Sequence, residues 1–268
     1  MLLPLYDKNP KTRIKFQYVT VTLITLSSLA FLYQLSLGDV AGYRLILGLG
    51  AIPAVIFGNN ELAPGLVMVP TSVTLLTSMF LHDDWMHLIG NMVFLWVLGD
   101  NIEDAMGHTR FIAFYALCGI IAAIAHGAID PLNEAPMIGA SGAISGVIGA
   151  YLLLHPKAPI HTLVFYYVIA IPAWIVLGLW IGIQFFNVLQ GGGGNVAWWA
   201  HIGGIVAGIA LIPLFKSKDV PLLAGLRGDP ATSAEPARKA PVKSPRGIRI
   251  MRVVKKNTKN EPTKGPWN

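Results

Sequence analysis

Six apolar stretches constrain this chain more than any other feature of its sequence. A helix that crosses a bilayer needs roughly 20 mostly apolar residues, and fewer when it packs inside a bundle. Only 13% of the residues are charged, whereas an average soluble domain is about one-quarter charged. We therefore predict an all-α polytopic membrane protein with six transmembrane helices, which lie near Tyr18–Ser36, Met86–Leu98, Phe111–Ile129, Gly139–Leu154, Pro172–Leu189 and Val196–Phe215.

The charges divide the chain into a membrane body and a basic tail. Residues 216–268 hold 13 Lys and Arg against 4 Asp and Glu, whereas residues 1–215 hold 7 against 10. We predict an N-terminal segment of residues 1–17, a membrane domain of residues 18–215 and a disordered tail of residues 216–268. The tail either contacts anionic headgroups or is simply solvated. The apolar composition of the body argues against nucleic-acid binding.

The cations predict the orientation in the membrane. Loops rich in Lys and Arg stay in the cytoplasm. The loops between the third and fourth and between the fifth and sixth stretches contain neither residue, and the first loop has only Arg44. The other cations of the body lie before the first stretch, between the second and third, and between the fourth and fifth, which six spans would place on one side of the membrane. They are Lys8, Lys11, Arg13, Lys15, Arg110 and Lys157. Both termini are therefore expected in the cytoplasm. Because no Arg- and Ser-rich transit peptide precedes the first stretch, we expect a prokaryotic plasma membrane.

Four polar side chains lie at one depth in the outer leaflet under this topology. His87 and Asn91 begin the second stretch, Ser141 begins the fourth, and His201 begins the sixth. Each is within about 10 Å of the outer end of its helix at 1.5 Å per residue. Polar groups at membrane depth are costly and so indicate a function.

Ser141 and His201 are the candidate nucleophile and base. A serine at a helix start has free N–H groups that can bind an oxyanion, and imidazole is the usual base for a hydroxyl. Taken alone, the serine could be a packing residue and the histidine a buried hydrogen-bonding residue. Small-residue faces on the two helices would bring them together, through Gly142 and Gly146 on one and Gly204 and Gly208 on the other.

His87 and Asn91 are four residues apart and therefore share one helical face. Both can donate hydrogen bonds, so they could complete an oxyanion hole with the backbone N–H of Ser141, next to Gly139. A structural pair that binds loop carbonyls is the alternative. Because no carboxylate lies at this depth, we expect a Ser–His dyad.

Other chemistries fit the sequence less well. His82, Asp83, Asp84 and His87 supply metal-ligand types, but the H-E-x-x-H spacing of zinc proteases is absent. The single cysteine, Cys118, excludes a cysteine-rich metal site. A transporter would show paired broken helices or a repeated half, and neither is visible. We expect no metal and no organic cofactor.

Three motifs resemble those of the rhomboid intramembrane serine protease family. They are FLHDDWMHLIGNM at residues 80–92, GASGA at 139–143 and WWAHIGG at 198–204. The resemblance implies a six-helix core, Ser141 as nucleophile and His201 as base, with His87 and Asn91 around the oxyanion. It also implies that the partners are the lipid bilayer and transmembrane protein substrates, whose helices are cut near their outer ends.

The chain departs from better-known members of this family at two places. Asp83 and Asp84 stand where members commonly carry glycines, which could alter the charge preference for substrate. Ser145 replaces a tyrosine that often supports the histidine ring, so the support of that ring is open. A non-catalytic relative that only binds client helices is the main alternative, although such proteins usually lack the serine or the histidine.

Overall fold

The computed structural model describes residues 2–191 and 196–223. Nine α-helices and three short strands account for most of this part of the chain. In order, they are β1 (Leu2–Asp7), α1 (Tyr18–Ser36), α2 (Gly38–Leu49), α3 (Pro53–Ile56), α4 (Thr71–Thr77), α5 (Trp85–Met106), α6 (His108–Ile129), α7 (Ser141–Leu154), β2 (Pro159–Val164), β3 (Tyr167–Pro172), α8 (Ala173–Leu189) and α9 (Trp198–Phe215). Most of the predicted basic tail lies outside the described residues, so the division at residue 216 stays a prediction.

A helix occupies each of the six predicted stretches, which gives the expected helical membrane bundle. By length and composition, α1, α6 and α9 can each cross a membrane, and the sharply bent pair of segments Pro64–Phe80 and Trp85–Met106 is either one broken span or a re-entrant loop. The other two, α7 and α8, are apolar but have only 14 and 17 residues. At 1.5 Å per residue, these reach about 21 and 26 Å, less than a typical hydrocarbon core. The number of complete crossings therefore stays a prediction.

The helix of the second predicted stretch is α5, and it continues eight residues beyond its predicted end at Leu98, to Met106. Its last two turns carry Glu103 and Asp104, which end an apolar pattern but are buried here. Glu103 accepts hydrogen bonds from the backbone N–H groups of Val19 and Thr20, at 3.0 and 2.8 Å, in the first turn of α1. Glu103 thus caps α1, whereas Asp104 accepts from the backbone N–H groups of Thr12, Arg13 and Ile14 in the segment before it. These satisfied hydrogen bonds explain why the helix tolerates both carboxylates.

The first loop contains more helix than the sequence suggested. Residues 43–57 are apolar but are interrupted by Gly48, Gly50 and Pro53, which favours part of a long, partly embedded loop over a span. Instead, α2 runs through Gly48 to Leu49, and Pro53 begins the short helix α3. A proline in the first turn is favourable because its missing N–H would have no helical partner there.

A small antiparallel sheet lies outside the helices, with the strand order β1-β2-β3. Residues 161–171 are rich in Val, Ile, Tyr and Phe, which favours an extended segment, and they form most of the β2–β3 hairpin. The N-terminal strand β1, which pairs with β2, was not predicted. It reaches the helices through Asp7, whose carboxylate accepts hydrogen bonds from the Tyr151 hydroxyl at 2.5 Å and from Asn101 Nδ2 at 2.8 Å.

The core of the bundle is α7, in which 11 of 14 residues are buried. It packs against α9 through glycines, as the small-residue faces predicted. A Cβ on Gly204 would overlap the carbonyl oxygen of Gly142, and one on Gly208 would overlap that of Gly146. Backbones this close leave no room for any other residue, so these glycines set the distance between the two helices.

Candidate active site

Ser141 is the first residue of α7, two residues later than the predicted helix start. Gly139 precedes the helix with a φ of 110°, a backbone conformation that side chains rarely adopt. Its N–H donates to the carbonyl of Ser78 at 2.9 Å, which fixes the turn. The N–H groups of the first turn of a helix have no intrahelical acceptor. Ser141 therefore presents its hydroxyl beside a set of backbone donors.

His201 lies against this serine. Its Nε2 is 2.9 Å from Ser141 Oγ, within hydrogen-bond distance, and the residue is only 7% exposed. The two residues are 60 positions apart in the sequence. They meet because Gly204, three residues after His201, packs on Gly142, which directly follows Ser141. A serine hydroxyl in contact with an imidazole is the arrangement that nucleophilic catalysis requires.

The other ring nitrogen of His201 contacts an amide that the sequence analysis missed. Gln184 Oε1, on α8, is 2.7 Å from His201 Nδ1. Gln184 is 3% exposed and is the one polar residue among the four buried side chains of α8. A buried polar residue in an otherwise apolar helix face is the signal that could have identified it.

Two tryptophans flank the His201 ring, although Ser145 replaces the tyrosine that often supports this ring in the family. The ring centroids of Trp180 and Trp198 lie 5.6 and 6.1 Å from that of His201, the first tilted by 37° and the second nearly perpendicular. Ser145 instead donates its hydroxyl to the backbone carbonyl of Ser141, at 2.6 Å. The ring is therefore supported from α8 and α9 rather than from α7.

His87 and Asn91 converge on Gly139 from α5. A Cβ on Gly139 would lie 2.6 Å from His87 Nε2 and 3.6 Å from Asn91 Nδ2, so this position needs a glycine. Asn91 is 7% exposed, and its Nδ2 has no hydrogen-bond partner among the described residues. An unpaired buried donor costs stability and so asks for a functional reason. The structure thus brings His87, Asn91, Gly139, Ser141 and His201 together.

The two aspartates that depart from the family pattern have different contacts. Asp84 caps α5, because its Oδ1 accepts from the backbone N–H of His87 at 2.8 Å. Asp83 Oδ1 is 2.5 Å from His87 Nδ1. Although partial burial acts to raise the pKa of Asp83, the hydrogen bond and charge of His87 lower it below its ordinary value. In the described residues, no group of three or more His, Cys, Asp or Glu side chains is placed to hold a metal ion.

Comparison with known proteins gives one family. Residues 70–218, more than half of the chain, match the model of the Rhomboid domain. The chain is similar to RHOMBOID-like protein 12, mitochondrial, of Arabidopsis thaliana, with 31% identity over 54% of this chain and 47% of the relative. It is also similar to Rhomboid protein 1, mitochondrial, of Saccharomyces cerevisiae, with 28% identity over 53% of this chain and 41% of the relative.

A bacterial relative is similar over a comparable part of this chain. Rhomboid protease GluP of Bacillus subtilis is 33% identical over 50% of this chain and 24% of its own length. The chain thus spans half or less of each of these three relatives. Because two of them are mitochondrial by name, the comparisons do not support the expected prokaryotic plasma membrane.

Proposed function

The chain belongs to the rhomboid family, and on that premise we propose that it is an intramembrane serine endopeptidase. It is an integral membrane protein with several apolar helices. Its proposed substrates are transmembrane proteins, which it cuts in or near their membrane segments without a metal or organic cofactor. The observation that carries this proposal is the 2.9 Å contact between Ser141 Oγ and His201 Nε2.

In the proposed reaction, His201 Nε2 takes the hydroxyl proton of Ser141 while Oγ bonds to the scissile carbonyl carbon. The tetrahedral intermediate then collapses, the C–N bond breaks, and the imidazolium gives its proton to the leaving amine. Water attacks the resulting ester with the same imidazole as base, which releases the acid and restores the serine.

The oxyanion of the intermediate would be held by the Ser141 N–H, Asn91 Nδ2 and His87 Nε2, next to the backbone of Gly139. Three observations support this assignment: the helix start at Ser141, the unpaired amide of Asn91 and the approach of both side chains to Gly139. Donors fixed before the reaction stabilise the charge that develops in the transition state.

The proposed orientation places this site on the side opposite the cations. In α5, His87 and Asn91 are near one end, and Asp100 near the other end is 3.5 Å from Lys11 Nζ. With the cation-rich side in the cytoplasm, both termini of the membrane domain face the cytoplasm and the site opens in the outer leaflet. The contact of the basic tail with headgroups concerns residues outside those described.

The main alternative is a rhomboid-like protein that binds client helices without cutting them. One experiment separates the two: cleavage of a model transmembrane substrate by purified protein in lipid vesicles, wild type beside Ser141→Ala, each with and without a chelator. We expect the wild type to cleave with or without chelator and Ser141→Ala to lose cleavage. A wild type that neither cleaves several substrates nor is labelled at Ser141 by a fluorophosphonate would favour the binding protein.

A further inference from the structure

The amide of Gln184 makes two hydrogen bonds that together fix its orientation. Its Nε2 donates to the backbone carbonyl of Trp180 at 2.9 Å, and its Oε1 faces His201 Nδ1 at 2.7 Å. A carbonyl can only accept, so the NH₂ end of the amide must point to Trp180. The Oε1 atom of Gln184 therefore faces the imidazole of His201.

This orientation decides which nitrogen of His201 carries the proton. Because Gln184 Oε1 can only accept, Nδ1 must be the N–H donor. In the neutral ring, Nε2 then has a free lone pair, and Nε2 is the atom that faces the Ser141 hydroxyl. One chain of contacts therefore runs from the Trp180 carbonyl through Gln184 and His201 to Ser141.

We infer that Gln184 is a positioning residue for the base. It holds the His201 ring in the tautomer and orientation that accept the serine proton, and its oxygen stabilises the imidazolium that forms. This inference rests on the proposed function. It extends the predicted Ser–His dyad to a Ser–His–Gln arrangement in which the third member is contributed by α8.

The burial of Gln184 supports a role beyond packing. The other buried side chains of α8 are Ala173, Val176 and Leu177, so an apolar residue would fit this face. A neutral amide also suits its depth, because an ionised carboxylate inside a membrane is costly. It supplies the acceptor that a triad carboxylate supplies elsewhere without bringing a charge into the bundle.

The test uses Gln184→Met, which keeps the side-chain size and removes the acceptor, and Gln184→Glu, which keeps an acceptor at Nδ1. Asn187→Leu is the matched control, because Asn187 Nδ2 donates to the Ile183 carbonyl at 2.8 Å on the same helix but Asn187 is only half-buried. We expect Gln184→Met to lower kcat roughly tenfold to a hundredfold, with KM nearly unchanged, from the loss of one buried hydrogen bond to the base. Gln184→Glu should recover part of that loss, and Asn187→Leu should match the wild type.

A second measurement separates positioning from folding. In a His201→Ala background, Gln184→Met should cause no further loss of the residual rate, because the two residues act as one unit. Equal kcat in wild type and Gln184→Met, or a loss that persists without His201, would overturn the role of Gln184. A wild type that does not cleave and is not labelled at Ser141 would instead overturn the proposed function.

Discussion

The site contains two histidines, and their Nδ1 partners differ. His201 is buried and faces the neutral amide of Gln184 at 2.7 Å. The side chain of His87 is 29% exposed and faces the carboxylate of Asp83 at 2.5 Å. An amide fixes the tautomer of a neutral ring, which can accept a proton at Nε2. A ring with N–H groups at both nitrogens could donate Nδ1–H to a carboxylate and Nε2–H to an oxyanion.

The partners thus suit each ring to a different task. In the proposed reaction, His201 is the base that takes the serine proton, and His87 is a donor to the oxyanion. The second arrangement depends on Asp83, one of the two positions at which this chain departs from the glycines common in the family. The first depends on α8, whose buried face contributes Gln184.

Removing each ring in turn is expected to have the largest effect on cleavage, and it tests directly whether the two histidines have different tasks. His201→Ala should lower kcat/KM by roughly 10⁴-fold or more, because the serine loses its base. His87→Ala should cost about 10²- to 10³-fold, the usual cost of one oxyanion donor. Initial rates of cleavage of one transmembrane substrate measure both. Equal losses would contradict the assignment of different tasks.

A smaller change tests the charge beside His87. Asp83→Asn keeps an acceptor near Nδ1 but removes the negative charge, and should lower kcat/KM by about tenfold with little change in KM. Asp84→Asn is the matched control, because asparagine caps a helix as well as aspartate does. The same substrate assay measures both variants. If the two substitutions have the same effect, the contact between Asp83 and His87 does not contribute to the reaction.

The smallest effect on cleavage is expected at a carboxylate on the far side of the bundle. Burial raises the pKa of Asp7 to about 6, although hydrogen bonds from Tyr151 and Asn101 oppose this. The folded protein therefore binds a proton there more tightly than the unfolded chain, whose ordinary aspartate pKa is 3.8. The stability that Asp7 contributes is present in full below about pH 4 and is lost as the pH rises through about 6.

Asp7→Asn should remove this pH dependence and leave cleavage unchanged. Thermal unfolding in detergent micelles between pH 4 and 7 measures it, with substitution of the exposed Asp39 by Asn as the control. A wild-type Tm that does not fall relative to Asp7→Asn over this range would contradict the raised pKa. The comparison of Asp7→Asn with the wild type shows whether pH acts on the stability of the protein through Asp7 in the N-terminal strand.

The helical bundle and the main pair of the site could be predicted from the sequence because both depend on strong local signals. Apolar stretches predicted six helices, and polar residues within them predicted the meeting of Ser141 and His201. Gln184 could not be assigned in this way. An amide in an apolar helix is compatible with many contacts, and nothing in the spacing of α8 shows which side chain it will face.

The amino-acid sequence by itself determined the membrane environment and the six helical stretches, because hydropathy and helical rise act along the chain. The common depth of the four polar side chains stays a prediction. Only the tertiary structure decided which nitrogen of each imidazole faces which group. That choice depends on hydrogen bonds between side chains 17 and 60 residues apart at His201 but four residues apart at His87. The contact between His201 and Ser141 exists because glycines let α7 and α9 pack backbone to backbone.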